Sequence, residues 1–179
     1  DRVNELLERI THDELKRFTS ETALRDTSFR EIFLSSFAAE AAGESKASYA
    51  KRIKSILRAA SDRHGFIGWN ASGKVARPVF ELLDAAQKQI EAQNYMNAVH
   101  IYTAVMEQMV EALQYADDSN GSLGDCIVAA YEKLLEIGDL PLPEDVRKHL
   151  INYCFSAYEK KKFKGWDWHI GVLELASML

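Results

Sequence analysis

At 179 residues, with 47% hydrophobic and 27% charged residues and a formal net charge of −5, the chain has the make-up of one globular domain, or of one domain with a docked helical extension. A chain this long buries roughly 70% of the surface it exposes when unfolded, so it needs neither disulfides nor a structural metal to fold. It has no run of 18 apolar residues, which excludes a helical membrane span. The opening Asp1-Arg2-Val3-Asn4 has neither a methionine nor a signal-peptide apolar stretch, and it reads as the start of a fragment of a longer protein.

Period-3.6 patterns dominate, and no alternating strand pattern occurs. Val3, Leu6, Leu7 and Ile10 share one face of a short first helix. Thr11-x-x-Glu14 has the form of a capping box that restarts the chain, and Leu15 and Phe18 give the second helix its apolar face. Another candidate box, Ser28-x-x-Glu31, precedes Phe29, Ile32, Phe33 and Phe37 at one-face spacing. Ala42-Gly43-Glu44-Ser45 then punctuates the chain before a fourth helix, running to about Ala60, with Tyr49, Ile53, Ile56, Leu57 and Ala60 as its core face. Residues 1–62 read as an N-terminal helical cap region on a helical-repeat region over 63–179, the two forming one continuous domain.

His64-Gly65-Phe66-Ile67-Gly68-Trp69 is a glycine-broken apolar loop, expected to tuck its aromatics under the helices that follow. A fifth helix is predicted from about Val75 to Ala92, with Val79, Leu83, Ala86 and Ile90 inward and Pro78 in its first turn. After a break at Gln93–Asn94, the sixth helix runs from Tyr95 to about Ala116. It is apolar round more than half its circumference, which marks it as the central, buried helix. The polar break from Asp117 to Ser122 leads to a seventh helix carrying Ile127, Ala130, Tyr131 and Leu134 and ending at Gly138. Pro141 and Pro143 separate it from an eighth with Val146, Leu150, Tyr153 and Ala157 inward. A last helix holds Trp166, Ile170, Leu173 and Ala176, with Trp166 plugging the end of the stack and Trp168 facing another way. Cys126 and Cys154 fall inside apolar helical patterns and read as buried thiols, which predicts a reducing, cytoplasmic setting.

The charge is segregated. Residues 45–77 carry eight Lys and Arg against one Asp, a net +7, whereas residues 78–145 carry thirteen acids against two lysines, a net −11. On the fourth helix Lys51, Lys54 and Arg58 fall at i, i+3 and i+7, opposite the Tyr49/Ile53/Leu57 face. This stripe either is a solvated face that pairs with the acidic middle of the chain or is a contact surface for phosphates. Tyr49 belongs to the core face, so no aromatic interleaves the stripe as a stacking platform for bases would.

Motifs for chemistry are missing. Aligning Asp118-x-Asn120-Gly121 with a calcium loop puts Ala116 at its first ligand position and Ile127 at its twelfth, so an EF-hand is excluded. The break reads instead as a left-handed turn at Gly121 with Asp118, Ser119 or Ser122 capping helix ends. The five histidines show no zinc spacing, His149 and Cys154 share no helix face well, and neither a phosphate-binding loop nor a nucleophile elbow occurs. We assign no catalytic, cofactor-binding or metal-ligating residue. An enzyme would have to assemble its site from scattered groups such as His100, Asp117 and Asp118.

The run HGFIGW…ARPVFELLDAA…YMNAVHIYTAVMEQMVEAL…YADDSNGSLGD resembles the helical region C-terminal to the zinc finger of prokaryotic SWIM zinc-finger proteins, over roughly Arg63 to Leu135. Its most specific part is the acidic-Ser-x-Gly break at Asp117-Asp118-Ser119-Asn120-Gly121. That family pairs a Cys-x-Cys…Cys-x-His zinc module, thought to bind DNA or protein, with helical repeats. The zinc ligands are absent from this chain, so the resemblance implies architecture and not metal binding. Ala86, Tyr95, Ala98 and Tyr102 also match the tetratricopeptide pattern in one helix pair, while the other pairs depart from it.

The fold expectation is therefore all-α: about nine helices in irregular antiparallel pairs, stacked as a tetratricopeptide-like solenoid. The functional expectation is a scaffold that binds a protein partner or positions a zinc module beside it. Asp117 and Asp118 are its candidate partner contacts, and nucleic-acid contact through Lys51, Lys54 and Arg58 is the alternative. A structural spacer that self-associates through its opposed charge blocks is a third reading.

Overall fold

The computed structural model describes residues 2–37 and 45–179, so Ala42-Gly43-Glu44 of the predicted break lies outside the described residues. Among the described residues the chain is all-α. Its helices are α1 (Arg2–Leu7), α2 (His12–Arg25), α3 (Thr27–Ser36), α4 (Lys46–Ala60), α5 (Trp69–Glu91), α6 (Tyr95–Ala112), α7 (Ser122–Gly138), α8 (Glu144–Glu159) and α9 (Trp168–Met178), with one 3-10 turn at Leu113–Tyr115. Extended pairing among these residues is confined to one isolated parallel bridge between Ile67 and Ala116.

Packing follows chain order. α3 packs on α4 and α5, α4 on α5 and α6, α5 on α6 and α7, α6 on α7, and α9 on α8 and α7. From α3 to α7 each helix thus meets its neighbour and the next but one, which builds an array around one continuous core from Tyr49 to Leu175. α6 lies at its centre with thirteen of its eighteen residues buried, as its all-round apolar pattern predicts. The predicted inward faces of α4 (Tyr49, Ile53, Ile56, Leu57), α7 (Ile127, Ala130, Leu134) and α8 (Val146, Leu150, Tyr153, Ala157) are buried too. Cys126 and Cys154 are free and buried, and burial pushes both thiols up to about 12.

At the N-terminal end the capping box at Thr11 and Glu14 forms, each residue's side chain accepting from the other's backbone N–H. Ser28 does not cap. α3 begins one residue earlier, and the Asp26 carboxylate accepts from the Phe29 N–H at 3.0 Å. Freed from a cap role, Glu31 is buried, its Oε1 accepting from Ser55 and Arg30. No residue of α1 or α2 is buried.

Four further expectations are corrected. α5 starts at Trp69, well before Val75, and Pro78 lies in its interior. An interior proline forfeits one backbone hydrogen bond and crowds the preceding turn. Ser72, Val75 and Ala76, in the turns before it, are buried, and that burial keeps the segment helical. The loop aromatics do not tuck under. Ile67 is fully buried, while Phe66 and Trp69 stay about half exposed. The Ile67 N–H donates to the Tyr115 carbonyl at 3.1 Å and the Ile67 carbonyl accepts from the Asp117 N–H at 2.8 Å. Extended backbone held on both sides points Ile67 in and its neighbour Phe66 out.

At the other end Trp166 plugs nothing. It is exposed, and its ring lies 5.6 Å from that of Trp168 instead of facing another way. α9 buries Gly171, Val172 and Leu175, and leaves Ile170 exposed. The reason is a close approach, since a Cβ on Gly171 would stand 2.5 Å from the Tyr131 hydroxyl oxygen of α7. Only glycine admits that contact, so the helix rotates its Gly171 face inward. Gly171→Ala is expected to lower the melting temperature by several degrees, an overpacking cost of about 1–3 kcal/mol offset in part by alanine's better helix propensity. Thermal unfolding followed by circular dichroism checks it.

Candidate functional site

Lys51, Lys54 and Arg58 project from the exposed face of α4, opposite buried Tyr49, Ile53 and Leu57. None of the three forms an ion pair with a described residue, so the acidic middle of the chain does not neutralise them. Lys54 and Arg58 line a cleft of about 350 Å³ together with Gln108, Glu111 and Tyr115 from α6 and the turn after it, and with Asp62 and Gly65 from the loop after α4. Arg58 also lines a second concavity of about 520 Å³, with Arg25 from α2 and Arg30 from α3. Arg25 and Arg30 carried no signal in the sequence, because their convergence depends on how α2, α3 and α4 meet.

The acidic break is built inward. Gly121 adopts the expected left-handed backbone, with φ 74°. The Asp118 carboxylate accepts from the N–H groups of Leu123 at 2.8 Å and Gly124 at 2.9 Å, satisfying the first turn of α7. The Asp117 carboxylate accepts from the Ser119 N–H at 3.1 Å and from its hydroxyl, bonds that hold it below the usual carboxylate range. Asn120 exchanges hydrogen bonds with Ser72 of α5, tying the break to the array. Both half-buried carboxylates thus shape the turn. His100 sits near the opposite end of α6, about 18 Å of helix from Ala112, so the three scattered groups of a hypothetical enzyme site are not assembled.

A titratable cluster not seen in the sequence lies across α4, α6 and α8. Glu107 of α6 pairs with Lys46 and, at 2.8 Å, with Lys162. Lys46 also sits 4.5 Å over the Tyr153 ring, and the rings of His100 and His149 meet edge to face at 5.2 Å. Burial holds the Lys46 ammonium below its ordinary value, against the pull of Glu107, and pushes the Tyr153 hydroxyl well up. His149 is held below its ordinary value by burial first and by His100 and Lys46 after it. Among the described residues no group of three or more His, Cys, Asp or Glu side chains is placed to hold a metal ion.

An apolar groove of about 520 Å³ lies between α2 and α3, lined by Leu15, Phe33 and Phe37 with His12, Lys16 and Thr19. Phe29, Phe33 and Phe37 form an aromatic ladder along α3, with centroids 6.2 and 4.8 Å apart. Phe18 and Leu24 of α2 stand 64% and 85% exposed. The sequence assigns Leu15, Phe18, Phe29, Phe33 and Phe37 to apolar helix faces, but none of them is buried among the described residues.

Comparison of the chain with family models, with curated proteins and with solved structures finds no match. Among the described residues no helix is long and apolar enough to cross a membrane.

Two outcomes follow from these contacts. Asp118→Ala removes two N–H acceptors from α7 and is expected to cost about 1 kcal/mol, or about 2–4 °C in melting temperature. Differential scanning calorimetry reads it. Between the lowered native pKa of His149 and its ordinary value of 6.5, the unfolded chain binds more protons than the folded one. Stability is therefore lost as pH falls through that window. His149→Gln should flatten the fall in melting temperature below about pH 6.5, measured against the parent chain.

Proposed function

We propose that this chain is a protein-interaction module that seats a segment of a partner protein on the apolar surface of α2 and α3. The observation that carries this reading is the open groove of Leu15, Phe33 and Phe37, with Phe18 and Leu24 of α2 exposed as well. Contiguous exposed apolar surface of this kind, rimmed by polar groups, is the usual form of a docking site. A groove between two helices suits an amphipathic helix, whose anchors at i, i+3 and i+4 fill it while His12, Lys16 and Thr19 fix register. Docking would also cover two helices that bury little on their own.

The array supports this role by holding α3 from behind, through α4 and α5. In the full-length protein, the resemblance to SWIM zinc-finger proteins adds a zinc module, which the tetratricopeptide-like stack would position beside the bound partner. Asp117 and Asp118, engaged in the turn before α7, would contribute to a partner contact through the shape of that turn more than through free charge.

The test is a pull-down from nuclease-treated lysate with the tagged chain and with the Phe33→Ser, Phe37→Ser double variant. The variant is expected to hold at least about tenfold less of the specific proteins that the parent chain retains, because buried aromatic anchors dominate such interfaces. Equal retention of the same proteins by a variant that still melts cooperatively would overturn the reading.

A further inference from the structure

We infer that the junction of α2, α3 and α4, continued along α4, is a phosphate-backbone site for a single strand of nucleic acid. It shares no lining residue with the apolar groove between α2 and α3, so either assignment can fail without the other.

Three arginines from three helices, Arg25, Arg30 and Arg58, surround the concavity of about 520 Å³ at this junction, with the hydroxyl residues Thr27, Ser28 and Ser55 between them. Their charge is barely spent inside the fold. Arg25 and Arg58 make no ion pair with a described residue, and Arg30 reaches only Glu31, at 3.3 Å, whose carboxylate also accepts from Ser55. The one acid that lines the concavity, Asp26, already accepts from the Phe29 N–H. Two guanidinium groups without an ion pair to a described residue, and a third held only by Glu31, surround a concave surface with the Thr27 and Ser28 hydroxyls beside them, which matches the needs of a phosphoryl oxygen.

A socket for one phosphorylated side chain would end there, and this surface does not. Arg58 belongs equally to the neighbouring cleft of about 350 Å³, where Lys54 joins it, and Lys51 follows one turn further along α4. The cations therefore form a track, with Lys51 and Arg58 about 10 Å apart along the helix axis. A nucleic-acid strand carries a charge at every nucleotide and engages such a line. Aromatic rings also lie near the track: half-buried Tyr115 lines the same cleft, and exposed Phe66 directly follows its lining residue Gly65 in the chain. Exposed rings stack unpaired bases, whereas a duplex offers none, which favours a single strand. Two acids line the cleft as opposing charges, Asp62, whose carboxylate accepts from the N–H groups of His64 and Phe66, and Glu111.

The test is fluorescence anisotropy of a labelled oligothymidine of about 20 nucleotides titrated with the 179-residue chain between about 50 and 200 mM salt. Binding is expected to weaken steeply with salt. Arg25→Gln, Arg30→Gln and Arg58→Gln should each weaken it several-fold and lower the logarithmic salt slope by about 0.7 for each phosphate the variant no longer neutralises. Phe66→Ala should weaken binding with the slope unchanged, and Glu111→Gln should strengthen it. The inference is overturned if the oligonucleotide fails to bind at the lowest salt. It is equally overturned if the arginine variants bind like the parent, or if a phosphoserine peptide binds through the arginines more tightly than the strand does.

Discussion

Helix α6 is apolar on nearly every side, so it has to be surrounded, and the arrangement of the array follows from that requirement. With thirteen of eighteen residues buried, it takes α4, α5 and α7 as close neighbours. The polar groups it carries inward show how complete the burial is. The Thr103 hydroxyl turns back to the Val99 carbonyl at 2.6 Å, and the Asn97 side chain accepts from the Tyr49 hydroxyl at 3.0 Å. The Tyr102 hydroxyl is buried with no partner among the described residues, a desolvation cost that the surrounding apolar contacts have to exceed. Burial raises its pKa, so it stays neutral and α6 carries no charge at that level.

The most buried ion pairs in this chain answer a charge that loses water on packing. Lys46 loses water on packing, and Glu107 answers it, with Lys162 sharing the same carboxylate. These contacts join the start of α4, the middle of α6 and the segment after α8. Exposed pairs such as Lys148 with Glu144 contribute little beside them. On the outer face of α4 no such demand exists, and Lys51, Lys54 and Arg58 make no ion pair with a described residue despite thirteen acids between residues 78 and 145. A segregated sequence therefore yields a segregated surface.

What could be read from the sequence is what one helix decides alone. The inward faces of α4, α7 and α8, the capping box at Thr11, the break before Tyr95 and the left-handed turn at Gly121 are set by spacing and by local backbone chemistry. The misreadings arise where two elements meet. Pro78 is held inside α5 by burial on both sides, and Phe66 is turned out by the hydrogen bonds of Ile67 with Tyr115 and Asp117. α9 is rotated by the contact between Gly171 and Tyr131. The same limit hid the pairing of His100 with His149 and the meeting of Arg25, Arg30 and Arg58. A periodic apolar face also says only that a helix wants a partner. For α2 and α3 it did not say that most of those faces stay exposed among the described residues.

That last distinction bears on how the N-terminal end can work. A helix of fourteen residues is marginal in water alone, and α2 holds its start with a capping box while burying nothing. α3 is better supported, because it packs on α4 and α5. It lines the apolar groove through Phe33 and Phe37, and the arginine-rich concavity through Thr27, Ser28 and Arg30. Any ligand that orders α2 against α3 on one surface lowers the ordering cost for a ligand on the other. The least buried part of the molecule is therefore the part where binding has most to stabilise, with the array around α6 serving as its fixed support.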